Sequence, residues 1–253
     1  MISKQYAIDV QLKRGEVPSF ESYPFSLPAV RYLEVLKLHP CVTYVVGENG
    51  SGKSTLLEAI AVACGFNPEG GTKNFRFGTR MSHSNLHEYI RIAKGVRRPK
   101  DGFFLRAESF FNVATEIERL DAEPAPSPPV IDSYGGKSLH EQSHGESFLA
   151  LMMNRFGGNG LYILDEPEAA LSPQRQLSAL ARIHQLVHAD SQFIIATHSP
   201  ILMAYPAAYI YACSPQGIEL IDYHDTEHYR VMRNFVTNPK RTLDVLFAPD
   251  DDA

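Results

Sequence analysis

The chain has 253 residues, of which 44% are hydrophobic and 21% charged, and a net charge of −5. Such values suit a soluble globular protein of one large α/β domain or two small ones with a sizeable core, and they exclude a global basic field that would draw the chain to nucleic acid or membrane. Cys41, Cys64 and Cys213 lie far apart in no paired spacing, which predicts reduced thiols in the cytoplasm; there is no signal-peptide pattern and no apolar run near the ~20 residues that cross a bilayer.

Residues 7–13 predict an edge strand, and residues 32–38 a second strand with alternating apolar positions. Residues 41–46 (CVTYVV) are a continuous β-branched run, the pattern of a strand buried on both faces. Glycines follow at once, and residues 53–64 carry apolar side chains at helical spacing, closed by Gly65. Strand, glycine-rich turn and helix open a doubly wound α/β sheet. From 66 to 159 the texture changes: helical segments at 85–94 and 110–120 alternate with loops, one of them the Pro-rich stretch 123–130. This interval predicts a mostly helical subdomain inserted into the sheet domain. Sheet texture resumes with strands at 161–164 and 192–196 around a helix at 173–189, then a hairpin-like pair at 209–213 and 218–222. A polar helix at 226–236 and an acidic tail at 250–252 complete the chain. The expected organisation is one domain: an α/β core over 1–65 and 160–222, the helical insert over 66–159, and a C-terminal piece over 223–253.

The segment Gly47-Glu48-Asn49-Gly50-Ser51-Gly52-Lys53-Ser54-Thr55 fits G-x-x-x-x-G-K-[ST] at every required position. Glycines let the backbone turn its N–H groups inward onto phosphate oxygens, and the following helix aims its positive end at the same anion. Lys53 would charge-stabilise the β- and γ-phosphates while the Ser54 hydroxyl binds Mg²⁺. The strand at 161–164 ends in Asp165 and Glu166, two carboxylates that are costly beside a core unless a metal ion and a polarised water offset them. Asp165 then suits Mg²⁺, and Glu166 the activation of a water. His198 follows the strand at 192–196, at the end of a doubly wound sheet where ligands sit, in position to donate to charge developing on a γ-phosphate.

With these motifs the chain resembles the ABC-type ATPases. The resemblance covers essentially the whole sequence and implies a mostly parallel P-loop sheet flanked by helices, with an N-terminal antiparallel β element and an inserted helical subdomain. Relatives carry a signature such as LSGGQ or SxGE that contacts the partner subunit's ATP; here Gln142-Ser143-His144-Gly145-Glu146-Ser147 precedes an apolar stretch at 148–154. Ser143 can cap that helix and Gly145 expose its N–H, so the resemblance implies Ser143, Gly145 and Glu146 acting in trans, a two-fold sandwich of two chains around two ATP, and Mg²⁺-dependent hydrolysis. Ser143 precedes Asp165 by 22 positions and Asp165 precedes His198 by 33, in keeping with the family's order. The runs DEPEAALSP and ATHSP look more like the SMC, RecF and OLD-type branch, with Leu171 and Ser172 at the family's D-loop, than like transporter cassettes. Lys53 and Ser143 are 90 residues apart, too few for a long coiled coil. Two departures stand out: His144 replaces a glycine of the signature, and no Gln occupies the Q-loop, where Glu108 after the strand at 103–106 is the substitute Mg²⁺-sensing residue. Tyr23 or Phe25 could stack on adenine, although a packed aromatic is the blander reading.

Other signals weigh less. His140-Glu141-Gln142-Ser143-His144 matches the H-E-x-x-H zinc pattern, but Gly145 and a helix start at Ser143 deny it one continuous helix. The pairs His184/His188 and His224/His228 predict solvated helix faces. Arg91, Lys94, Arg97, Arg98 and Lys100 form a basic cluster, by default a solvated surface, that can otherwise meet DNA or an effector protein. Two competing functions follow: a slow ATPase that regulates a nucleic-acid-associated partner, as in DNA repair or phage defence, and a cassette docked on a membrane transporter. An ATP-driven mechanochemical switch, an ATP-dependent homodimer, is the leading expectation.

Overall fold

A computed structural model describes residues 5–73, 84–107, 110–122 and 128–248, and of His144 the backbone. In chain order the elements are β1 (Ala7–Leu12), α1 (Pro28–Arg31), β2 (Val35–Lys37), β3 (Val42–Gly47), α2 (Lys53–Ala63), β4 (Ile90–Lys94), β5 (Asp101–Arg106), α3 (Phe110–Ala122) and α4 (His144–Ala150). They continue with β6 (Gly160–Asp165), α5 (Pro173–His188), β7 (Gln192–Ala196), α6 (Pro200–Met203), β8 (Tyr209–Ser214), β9 (Gly217–Ile221), α7 (Glu227–Thr237) and α8 (Pro239–Leu246).

The buried run after Cys41 becomes β3, inside a six-stranded sheet of order β5-β6-β7-β3-β8-β9. The first five strands are parallel and β9 returns antiparallel to β8. Parallel neighbours need crossovers, so helices cover both faces. Side chains alternate across the sheet: Tyr162 and Leu164 of β6 join one core, Leu161 and Ile163 the other. The first core takes in α3, α4, α5 and α6 through Ile117, Phe148, Ile183 and Leu202, and Tyr44 anchors it by donating its hydroxyl to the Leu202 carbonyl. The second holds α2 against a separate antiparallel sheet of order β2-β1-β4. Clamped between two sheets, α2 buries Leu56, Leu57, Ala59, Ile60 and Ala61 at 1% exposure or less. This is why its sequence shows no polar stripe. Its one buried acid, Glu58, is neutralised by Arg106 at 2.7 Å.

Several predicted elements are corrected. β1 is the centre of its small sheet, not an edge: its alternation reflects one solvated face, while β2 and β4 pair on both sides. Residues 85–94 are a 3₁₀ turn at Asn85–Glu88 followed by β4, because pairing of Ile90 and Ile92 with β1 overrides a local helical pattern. The strand predicted at 32–38 shrinks to β2, since α1 and a turn occupy the preceding residues. Residues 66–159 therefore supply β4 and the sheet edge β5 besides their helices. In the C-terminal piece, α8 joins the predicted α7. Residues 123–127 of the Pro-rich stretch and the acidic tail lie outside the described residues. The three cysteines are free thiols. No helix among the described residues is long and apolar enough to cross a membrane.

Candidate functional site

The site forms where β3, β6, β7 and β8 end beside the start of α2. β3 stops at Gly47, whose φ of +145° places an added Cβ 2.4 Å from the Cys213 carbonyl of β8, so only glycine lets the loop leave here. The loop then climbs to Gly52, left-handed at φ +96°, which opens α2. Lys53, only 4% exposed, donates from Nζ to the carbonyls of Gly47 and Glu48, both at 2.8 Å. Burial pulls its pKa down, and Glu166, Cys213 and Asp165 partly restore it. Glu48, Asn49, Gly50 and Ser51 line a cavity of about 690 Å³ above the loop, and the buried Ser51 hydroxyl has no hydrogen-bond partner among the described residues.

Beneath that loop, Ser54 Oγ donates to Asp165 Oδ1 at 3.0 Å. The pairing register sets Arg106 beside Asp165, with its Nε 3.9 Å from Oδ2 and its other arm on Glu58. Hydroxyl and carboxylate are the hard oxygen donors that Mg²⁺ takes in small number while keeping waters and phosphate oxygens as its other ligands, so this pair fits that ion. The next residue, Glu166, is left-handed at φ +51°, ψ +52°, a conformation that costs a non-glycine residue roughly 1–2 kcal/mol. Its Oε1 lies 3.5 Å from His198 Nε2, a buried nitrogen with no hydrogen-bond partner among the described residues. Strain and orphaned donors converge where β6 and β7 end.

The other side of His198 was not legible in the sequence. Its Nδ1 lies 2.9 Å from Nε2 of His228, the second residue of α7, and its backbone N–H donates to Glu168. His228 is thus no solvated helix face, because α7 folds back over the sheet end. Both imidazoles have lowered pKa values, each chiefly by burial, with Lys53 contributing to both. Neutral rings at this distance share one proton, and one ring donates to the other. Burial likewise raises the pKa of Glu168. Arg106 was also missed, because its nearness to Asp165 arises only from β5–β6 pairing.

The remaining predicted residues fall elsewhere. Ser143 caps α4, and Glu146 accepts from its N–H at 3.1 Å and its hydroxyl at 2.7 Å while pairing with Arg175 at 3.2 Å. Gly145 is buried, and an added Cβ would lie 2.4 Å from the Ala170 carbonyl, so close packing admits only glycine there. None of these three lines the cavities around Lys53, Glu166 and His198. Glu108 lies outside the described residues. Thr55 sits inside the first turn of α2. Phe25 is 2% exposed and packs edge-on against Tyr89, Tyr23 is 64% exposed, and neither lines the cavity. His140 belongs to a 3₁₀ turn that ends before α4 begins, so the H-E-x-x-H residues share no helix. The rings of His184 and His188 lie 4.2 Å apart, tilted at 60° to each other.

Two domain families match in succession: "AAA domain" over residues 20–122, and "AAA domain, putative AbiEii toxin, Type IV TA system" over residues 138–204. Among curated proteins, the chain is 25% identical over 63% of its length to the "ABC transporter G family member STR2" of Medicago truncatula. It is 28% identical over 62% of its length to the "Putative ribose/galactose/methyl galactoside import ATP-binding protein 2" of Agrobacterium fabrum. It spans only 24% and 33% of those relatives' own lengths. Among solved structures, cbiO1 from Clostridium perfringens, part of the ABC transporter complex cbiONQ, aligns over 96% of this chain and 99% of its own at 16% identity, with a TM-score of 0.50. That likeness concerns the fold. The phosphate loop falls inside the first of these two consecutive AAA-domain matches and the acid-tipped strand inside the second, so the chain is similar to P-loop AAA-type domains along both parts of its site and shares the fold of cbiO1.

Proposed function

We propose that the chain binds Mg-ATP and hydrolyses it to ADP and phosphate as one half of a head-to-tail dimer, with ATP joining two subunits and hydrolysis releasing them. The observation that carries this reading is the meeting of Lys53, the Ser54–Asp165 pair and the Glu166–His198 pair at one sheet end. Ser143, Gly145 and Glu146, which do not line that end, act in this reading on the nucleotide of a second copy.

In this mechanism Lys53 exchanges its two loop carbonyls for β- and γ-phosphate oxygens, and the loop amides complete the cradle. Ser54 and Asp165 would hold Mg²⁺, which supplies charge neutralisation to the phosphates. Glu166 orients a water and takes its proton as the water oxygen attacks the γ-phosphorus and the bond to ADP breaks. His198, neutral at pH 7, donates from Nε2 to the charge developing on the γ-phosphoryl oxygens, provided that Nδ1 accepts from His228. Arg106 holds Glu58 and Asp165 in place. Glu108 is the proposed Mg²⁺-sensing residue after β5. Three free thiols accord with a reducing cytoplasm.

Glu166→Gln tests the assignment. Removing the general base slows turnover by roughly 10²–10⁴-fold and leaves an ATP-bound dimer in sedimentation velocity. Hydrolysis at the parent rate would remove Glu166 from the mechanism, and a monomer under saturating ATP would remove the sandwich.

A further inference from the structure

A second cavity, of about 330 Å³, lies at the far end of α2. Cys64, which ends that helix, and Leu161, near the start of β6, are among its lining residues, together with Lys73, Lys94, Arg97 and Arg98. Since α2 has 11 residues, the cavity stands about 16 Å from the phosphate loop. It is therefore separate from the nucleotide site. Among the described residues four cations and no carboxylate line it, in a chain whose net charge is −5.

The cations are poorly compensated. Arg97 reaches Asp190 at 3.4 Å, but Lys73, Lys94 and Arg98 have no ion-pair partner among the described residues. The C-terminal end of α2 offers them about half a negative charge, against three full positive ones. Lys73 lies over the Phe66 ring at 5.0 Å, which holds its ammonium beside the others. The cations continue past the cavity: the exposed Lys100 follows Arg98 by two positions, whereas Arg91, three residues before Lys94 on β4, is on the opposite face of the strand. A single small anion would engage only part of such a line.

We propose that this cavity and its flanking cations bind an extended chain of phosphates, independently of nucleotide at the catalytic site. Consecutive phosphodiesters of a nucleic-acid backbone and free polyphosphate share that chemistry. Recognition rests on charge and not on base stacking: Phe66 is covered by Lys73, and Tyr6 is 5% exposed with its hydroxyl donated to the Asp190 carbonyl. The like charges have a visible effect. Burial lowers the Lys73 pKa, Cys64 opposes that shift, and Lys94 and Arg98 lower it further. A polyanion in the cavity removes that repulsion.

The test is fluorescence anisotropy of the full chain with a labelled 25-base-pair duplex of arbitrary sequence, competed by inorganic polyphosphate. Neutralising three phosphates gives a log–log salt slope of about −2.7, an affinity loss of about 40-fold between 50 and 200 mM salt. The double variant Lys94→Glu/Arg98→Glu loses at least tenfold in affinity and keeps the parent ATPase rate and melting temperature. A control with the same change in charge, Lys240→Glu/Arg241→Glu on α8, binds as the parent does. Binding of duplex identifies nucleic acid as the source of the phosphates, whereas binding of polyphosphate alone identifies the free polymer. Binding of neither, or equal loss in the control, overturns the site. Because the readout needs no hydrolysis, failure of the ATPase assignment leaves this result interpretable.

Discussion

Replacing His228 by Ala isolates one hydrogen bond on which the proposed chemistry depends. The substitution removes the ring nitrogen 2.9 Å from His198 Nδ1 and leaves the Glu166 side of His198 in place. A neutral hydrogen bond contributes about 0.5–1.5 kcal/mol net, and one of 1.36 kcal/mol corresponds to a factor of ten in rate. If that bond holds His198 as the Nε2–H tautomer, its loss lowers kcat by about 2–10-fold, with a smaller effect on KM. Steady-state phosphate release between pH 6 and 9 is the assay. The acid limb of the kcat profile shifts as well, because burial, His198 and Lys53 depress the His228 pKa and His228 faces His198 directly. His228→Gln, whose amide can donate to the same nitrogen, recovers part of the rate. A His228→Ala enzyme with the parent kcat and an unmoved acid limb refutes the tautomer reasoning, because a purely packing role would not touch the pH profile.

Two further outcomes follow from the same geometry. Gly47→Ala forces a Cβ against the Cys213 carbonyl at 2.4 Å on a left-handed backbone, whereas Gly50→Ala, at φ +80° with nothing within 4 Å, meets conformational strain alone. Thermal melts should therefore show a larger drop for Gly47→Ala than for Gly50→Ala, at about 2–4 °C per kcal/mol in a domain of this size, and equal drops would contradict the close approach. His198 and His228 both titrate below their ordinary value of 6.5 in the folded chain. The unfolded chain then binds more protons just below that value, so stability rises with pH toward 6.5 and is lost as pH falls beneath it. Glu168, whose pKa is raised by burial, acts in the opposite sense above 4.5. Melting temperatures of parent and His228→Ala between pH 5.5 and 7.5 should converge toward the acid end, and parallel curves would count against a depressed His228.

The parts of the fold that the sequence made legible are those where local pattern and burial agree. CVTYVV, GLYILD and QFIIA are apolar on both faces because both faces are covered, and the loop 47–55 needs its glycines wherever it occurs. IRIAK was misread because its preference is settled by β1, eighty residues earlier in the chain, and not by its own composition. The same holds at the site. Asp165, Glu166 and His198 stand at strand ends that periodicity locates, but Arg106 reaches Asp165 only through β5–β6 register. His228 reaches His198 only because α7 turns back, 30 positions later. Gly145 shows a subtler gap: the sequence offered it for its N–H, whereas the Ala170 carbonyl that a Cβ there would meet is visible only in three dimensions.

The double clamping of α2 bears on how an anion is met at its front end. A rod wedged between two apolar layers cannot roll or tilt without opening voids in both, and interior voids are costly. Its leading amides are consequently aimed before any guest arrives. A guest bound as proposed would spend little of its affinity on ordering the cradle, leaving adjustment to side chains such as Lys53 and Glu166.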